Sequence, residues 1–281
     1  VGVRSGALVR RRQLARTLRE LRVHAGLTIE AAAPQLDISA SKLSRIENAH
    51  QGVDVHMVRS MLDLFDIGGE RWTRILDLTR EASVKGWWRA YGLDDKCYVP
   101  LEASASTVRD FTVTYVPGLL QTSDYARTMF ESSLRSRSKE TIEREVRVRM
   151  IRQERLTSTI DPLRLAAIID EPVLHRPVGG AAVMRGQLQR LVEAAALDSV
   201  ELQVLPIGIG AHPAMGGAFA VLSFEGLGEP DMAYVEHTWG SVHVEKKEDV
   251  ARARLMFDHL RSVALDPAAS VALIERVAAQ R

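Results

Sequence analysis

Apolar residues recur along the first third of the chain at helical spacing, and polar breaks divide them into five segments. Leu14, Leu18 and Leu21 share one face of a helix from about Arg10 to Ala25, and Gly26 ends it. Thr28 can cap a short second helix whose compact apolar face is Ala31, Ala32 and Leu36. The chain breaks at Asp37 to Ser39, where Ile38 plugs the space between helices and Ser39 caps a third helix from about Ala40 to Asn48. Leu43 and Ile46 lie three apart and bury together, which turns Ala40, Ser41, Lys42, Ser44 and Arg45 outward. Asp54 caps a fourth helix through Asp66 that carries Val55, Val58, Met61, Leu62 and Phe65 inward. Gly68 and Gly69 break it. A fifth helix from Glu70 to Ser83 then buries Trp72, Ile75, Leu76 and Thr79. Residues 1–9 read as a disordered N-terminus.

The periodicity fails after Ser83, at Gly86, Gly92 and Pro100, and this places a domain boundary near 84–88. Residues 10–84 form one domain and 85–281 a larger one. In the second, Leu101 to Asp110 reads as a helix, FTVTYVPGLLQT as an extended run with a turn at Pro117-Gly118, and Thr122 or Ser123 as the next cap. Lys139 to Ser158 reads as a helix with Ile142, Val146, Met150 and Ile151 inward and interleaved Arg and Glu outward, an exposed face laced by charge pairs. Strands follow at Leu163–Ile169, Val200–Leu205 and Ala218–Phe224, with a helix at Val183–Ala196. Met232–Glu236 and Ser241–Val244 make a hairpin turning at Thr238 to Gly240, and helices at Asp249–Ala264 and Pro267–Gln280 close the chain. The fold class is α+β: an all-α N-terminal domain, then a mixed domain with C-terminal helices.

The second and third helices, with their short turn, have helix–turn–helix spacing. The outward side chains of the third are small, polar or cationic, which suits base edges and phosphates in a major groove. The stretch GLTIEAAAPQLDISASKLSRIENAHQG resembles the lambda-repressor-like, XRE-type helix–turn–helix family. The resemblance implies that Arg22 and Glu47 pair, locking one helix to another, and that Ser41 and Arg45 face base edges. It sets Ser39, Lys42 and Asn48 near phosphates, within a DNA-binding set that also holds Thr28, Ala40 and Ser44. Ile29 and Ala40 stand where the family often has Gln, Asp37 stands at the usual turn Gly, and Pro34 falls inside the second helix.

Charge supports this reading. Residues 1–60 hold ten Lys/Arg against five Asp/Glu, a net of +5, which leaves −4 for the remainder of a chain whose total is +1. A basic first domain on a faintly acidic body fits phosphate binding. Arg10, Arg11 and Arg12 oppose the macrodipole at the start of the first helix; a nearby polyanion or a solvated end would both accommodate them. The single cysteine, Cys97, excludes a disulfide framework and a cysteine metal site. No run of eighteen apolar residues exists, and the N-terminus lacks a signal core, so the expected location is cytoplasmic, with the nucleoid.

The phrases GWW, VPGLLQT-DYAR, RQERL, DEPVLHRPVGG, VMRGQL, LQVLP and GAHP, in that order, resemble the DUF5753 domain of actinobacterial regulators, the Scr1 antitoxin-like type. That resemblance implies a DNA-binding regulator whose second domain binds an effector or partner and supports dimerisation. Its alternative is an antitoxin-like protein that sequesters a small DUF397-type partner, with autoregulatory DNA binding. Expected partners are therefore double-stranded DNA, a second copy as homodimer, and either a DUF397-type protein or a small-molecule effector, with no membrane.

No enzyme is expected: the sequence carries no P-loop, GxGxxG after a strand, GxSxG or HExxH, and no catalytic residue, cofactor or metal site is assigned. His237 and His243 flank the hairpin turn beside Glu236 and Glu245, but nothing supplies a third ligand, and sheet-surface polars are the expectation. Three stretches remain as pocket candidates. Trp87 and Trp88 cannot both face one core, so they anchor a domain interface or line a pocket. Arg176 with Gly179 and Gly180 offers backbone N–H groups before a helix, and His212 sits in a long Gly/Pro loop; turn chemistry accounts for both stretches equally well.

Overall fold

The computed structural model describes residues 6–94, 97–134 and 136–281. They fall into two compact units, one of Ser5–Ser104 with Glu225–Glu229, the other of Ala105–Phe224 and Pro230–Arg281. Among the described residues no helix is long and apolar enough to cross a membrane.

The first unit is helical: α1 (Ala7–His24), α2 (Ile29–Gln35), α3 (Ala40–Glu47), α4 (Val55–Leu64), α5 (Gly69–Ala82), a 3-10 turn over Trp87–Tyr91, and α6 (Tyr98–Ser104). Its starts are fixed by side chains next to them in sequence. Thr28, Ser39 and Asp54 accept the N–H of Ala31 (3.1 Å), Lys42 (3.2 Å) and Met57 (2.9 Å), each satisfying a first-turn donor that the helix cannot pair internally. Asp37 and Asp66 end α2 and α4 in the left-handed region, at φ 55° each, which Asp tolerates better than most residues. Leu14, Leu18 and Leu21 meet Leu43, Ile46, Val58, Met61, Leu62, Ile75 and Leu76 in one core.

Four expectations change here. The expectation of disorder at residues 1–5 lies outside the described residues, but Ala7, Leu8 and Val9 form the first turn of α1 and are buried. The buried face of α2 is Ala32, Ala33 and Leu36; Ala31 is exposed. Ala33 and Leu36 are closer in helical phase than Ala31 and Leu36, so the buried stripe rotates by one residue. Trp72 is half-buried, packed on the core with the Arg59 guanidinium 5.9 Å from its ring. The arginines of α1 meet carboxylates of the protein within this unit: Arg10 lies 2.9 Å from Glu81, and Arg12 and Arg16 lie 3.4 and 3.0 Å from Glu229. The unit also runs past 84–88, because Val99 to Ser104 are buried and α6 packs against α1.

The second unit contains β1 (Thr107–Thr112), α7 (Ser123–Glu131), α8 (Lys139–Gln153), β2 (Arg164–Asp170), α9 (Pro172–His175), α10 (Gly180–Ala195), β3 (Val200–Leu205), β4 (Phe219–Phe224), β5 (Glu229–His237), β6 (Gly240–Val244), α11 (Lys247–Val263) and α12 (Pro267–Ala279). The strands form one sheet in the order β3-β2-β1-β4-β5-β6. β1, β2 and β3 run parallel, β4 runs antiparallel to β1, and β5 and β6 are an antiparallel hairpin. On one face Phe111, Ile168, Leu205, Phe219, Val221 and Ala233 pack with Phe257 and Leu260 of α11.

The helix expected over Leu101–Asp110 is instead the end of α6 followed by β1. Val108 and Phe111 are three apart and mimic helical spacing, but β1 is central, bonded on both sides, and its burial does not alternate. The helix expected to Ser158 ends at Gln153 and continues as a 3-10 turn, Glu154–Thr157. Its fully buried apolar residues are Val146 and Val148, while Ile142, Met150 and Ile151 are half-buried. Its charges are laced: Arg127 on α7 forks onto Glu143 at 2.9 and 3.1 Å, and Arg137 lies 3.2 Å from Glu145.

Two buried glutamines hold the segment after β1. Gln121 donates to the Val116 carbonyl (2.7 Å) and accepts from Arg149 (2.8 Å); Gln187 donates to the Leu120 carbonyl (2.8 Å) and accepts from the Thr122 N–H (2.8 Å). Each amide thus has both its donor and its acceptor engaged, as a buried amide requires.

Candidate nucleic-acid interface

α3 is presented by α1 and α2 through one apolar contact and one ionic one. Leu43 and Ile46 are buried in the core. Glu47, the next residue, takes the Arg22 guanidinium on both carboxylate oxygens, Nε to Oε1 at 2.6 Å and Nη2 to Oε2 at 2.8 Å. A third donor, Arg22 Nη1, reaches the Leu27 carbonyl at 2.6 Å. The fork is flat on both sides, so it fixes the rotation of α3 about its axis as well as its distance from α1. The hydrogen bond to Glu47 raises the Arg22 pKa above its ordinary value, against the opposing effect of burial. Glu47 is buried and faces the core, so this pair reads no base.

With that side pinned, the opposite side of α3 carries the expected contact groups. Ser41 and Arg45, four apart and thus on one face, are exposed. Ser39 and Asn48 are exposed at the two ends, and Lys42 and Ser44 are half-buried. Ala40 departs from the expectation: it is half-buried against the core, because the first turn of α3 tucks under α2. Thr28 and Ser39 use a lone pair each as caps; their O–H groups point no bond inward and suit a phosphate oxygen. Asn48 donates to the Ser44 carbonyl (2.8 Å), which closes the end of the helix. Just beyond, exposed His50 is tied by its N–H to the Arg45 carbonyl (2.8 Å) and extends this surface. Helical periodicity stops at Asn48, so no sequence pattern marks His50.

The pocket candidates belong to different units. Trp88 is buried, and Trp87 is half-buried, edge-on to it at 6.2 Å. Trp87 borders a cavity of about 560 Å³ with Lys85, Gly86, Arg89 and Ala90. Gly86 is required there: a Cβ on it would lie 2.2 Å from the Trp88 indole. Gly86→Ala is expected to lower the stability of the helical unit by about 1–3 kcal/mol through overpacking, read as a lower thermal midpoint; an unchanged midpoint would show that the indole has room to move. Arg176, Gly179 and Gly180 belong to the other unit, exposed in the turn from α9 to the first residue of α10, with φ 69° and 85° at the two glycines. His212 follows β3, half-buried, edge-on to Phe111 at 5.8 Å. His243 stacks on Tyr234 at 5.3 Å, and among the described residues no group of three His, Cys, Asp or Glu side chains is arranged to hold a metal ion.

A family model described as a domain of unknown function (DUF5753) matches residues 96–276, and one described as a helix-turn-helix domain matches residues 13–73. The second match runs from within α1 to the first turn of α5 and includes Arg22, Glu47 and the exposed face of α3. No curated protein and no solved structure matches the chain.

Proposed function

The chain belongs to the DUF5753 family, with a helix-turn-helix domain ahead of the family's shared domain, and from this premise we propose that it is a sequence-specific DNA-binding transcriptional regulator. It acts as a homodimer in the cytoplasm, on the nucleoid, and does no catalysis. One recognition helix reads too few base pairs to select a site in a genome, and a two-fold pair doubles the reading. The observation that supports this most is the α3 geometry: Glu47 is locked inward on Arg22 while Ser41 and Arg45 stand outward on the opposite side. The DUF5753 domain, in this reading, takes a small effector or a small protein partner and sets the affinity of the first domain for DNA.

Footprinting of the full chain on DNA upstream of its own reading frame tests the proposal. The expected pattern is two protected half-sites about one helical turn apart, with binding that weakens steeply as salt rises. Binding that is equal on every sequence would overturn sequence-specific regulation. Stoichiometric co-purification of a small chain that displaces the DNA would point instead to the antitoxin-like reading.

A further inference from the structure

Charges on the sheet face under α11 do not pair off evenly. Arg254 of α11 lies 2.9 Å from Asp231 of β5, and Arg261 forks onto Glu201 of β3 at 2.7 Å to each oxygen. Two arginines of the same face are left over. Arg109 on β1 is two residues from Phe111, which packs under α11, so alternation turns both side chains to that face. The parallel register sets Ala166 beside Arg109 and Arg164 beside Thr107, which puts the two arginines on one diagonal of a four-residue block. Arg109 is half-buried and Arg164 is exposed. Among the described residues neither has a carboxylate partner.

Arg109 is nevertheless held in place. Its Nη1 donates to the Ser223 hydroxyl (3.1 Å), which donates in turn to Asp231 (2.9 Å), the carboxylate that Arg254 grips. Its Nε and Nη2 carry no bond within the described residues and are open to solvent. A guanidinium fixed at one corner, with the rest of its donor fork unused, is oriented for an oxyanion. The other diagonal of the block is Ala166 and Thr107, both small and half-buried, which leaves room between the arginines.

We propose that Arg109 and Arg164 hold the phosphate of a small phosphate monoester. The inference rests on the effector reading above and names the effector's chemical class and its place. Two unpaired guanidiniums match a monoester phosphate, which carries about −1.5 to −2 charges near pH 7, whereas one carboxylate would leave a guanidinium unmatched. The Thr107 hydroxyl supplies a further donor. Glu201 follows Ala166 in the same row of the sheet and borders a cavity of about 410 Å³ between β3 and α11, lined also by Gln203, Asp258, Arg261 and Ser262. The Asp258 carboxylate, exposed there and without a partner among the described residues, accepts from hydroxyl groups, so the ester is a hydroxylated one, a sugar phosphate.

The test is calorimetric titration of the full chain, at fixed ionic strength, with ribose 5-phosphate, ribose and gluconate. Ribose 5-phosphate should saturate at one per chain, and ribose and gluconate should not saturate. Arg164→Ala, which removes an exposed side chain that holds nothing, should weaken binding at least about tenfold. Arg109→Lys, which keeps the charge and loses the fork, should weaken it as much. Arg252→Ala removes the same charge from a side chain of α11 that is 74% exposed and paired with Asp249, and should change binding by less than about twofold. Unchanged circular dichroism spectra would show that the fold is kept. Absence of saturation overturns the site. So does an Arg252→Ala loss equal to that of Arg164→Ala, which would mean diffuse attraction. Gluconate binding as tightly as ribose 5-phosphate overturns the phosphate assignment. If ribose 5-phosphate does not bind and Arg164→Ala weakens duplex DNA of every sequence, the two guanidiniums meet DNA, and the small-molecule site is overturned. Ribose 5-phosphate binding that needs both arginines but leaves the footprint on DNA unchanged supports the site and overturns the effector reading.

Discussion

Glu47→Ala is expected to unfold the helical unit or leave it barely folded. The carboxylate is almost fully buried and is the sole counter-charge forked by the Arg22 side chain, itself nearly buried. Removing one member of such a pair leaves a guanidinium without its paired carboxylate in a low-dielectric place, which costs about 3–5 kcal/mol. That is a large part of the roughly 5–15 kcal/mol by which a domain is stable at all. Loss of helical ellipticity at ambient temperature, with DNA binding lost alongside it, is the predicted reading. Arg22→Met with Glu47→Leu should recover most of the stability, because an apolar pair of similar size needs no desolvated charge. It should not recover DNA binding fully, since the two-point fork that fixes the rotation of α3 is gone. A Glu47→Ala chain that melts within about 0.5 kcal/mol of the parent, the range of ordinary surface changes, would mean that the ion pair is not what holds α3.

Arg45→Ala is expected to remove base discrimination while the chain stays folded. Arg45 is exposed on α3, opposite the buried Leu43 and Ile46, on the same face as Ser41. A guanidinium can grip two acceptors on one guanine edge, and losing such a contact costs about 1–3 kcal/mol at the preferred base and little elsewhere. Lys42→Ala should act differently. A lysine near the backbone contributes charge without sequence, so all sequences should weaken alike and the salt slope should fall by about one. Gel shifts on the footprinted site and on scrambled DNA, each at several salt concentrations, separate the two. If Lys42→Ala changes preference and Arg45→Ala changes only the salt slope, the two residues have exchanged roles. If neither matters, α3 is not the reading helix.

The helical unit was legible at the level of caps, turns and buried residues. Thr28, Ser39 and Asp54 each act on an N–H three residues away, and Asp37 and Asp66 each adopt a conformation that depends on their own side chains. Such signals need no knowledge of the rest of the chain. The misreadings lie where the decision belongs to neighbours far along the sequence. Ala31 and Ala33 have the same chemistry, and only the placement of α1 and α3 decides which is buried. Thr107 to Asp110 fits a helix by local spacing until β2 and β4 bond it from both sides. Val148 replaces Ile142 and Met150 as a fully buried residue because α8 packs against α7 and the 3-10 turns Gly118–Leu120 and Glu154–Thr157, which local periodicity does not report.

Two things were thus set by the sequence alone: the ends of the helices around the turn, and the identity of the residues on the outer face of α3. Both come from interactions across three or four positions, whose geometry the helix itself supplies. Three things needed the tertiary structure: the strand order, the closure of the β3 edge by the Leu265 and Ser270 contacts, and the placing of Trp87 in one unit and of Arg176 and His212 in the other. Each depends on which distant segments meet, and residues that alternate or repeat in the same way along the chain can meet many different partners until the whole core is packed.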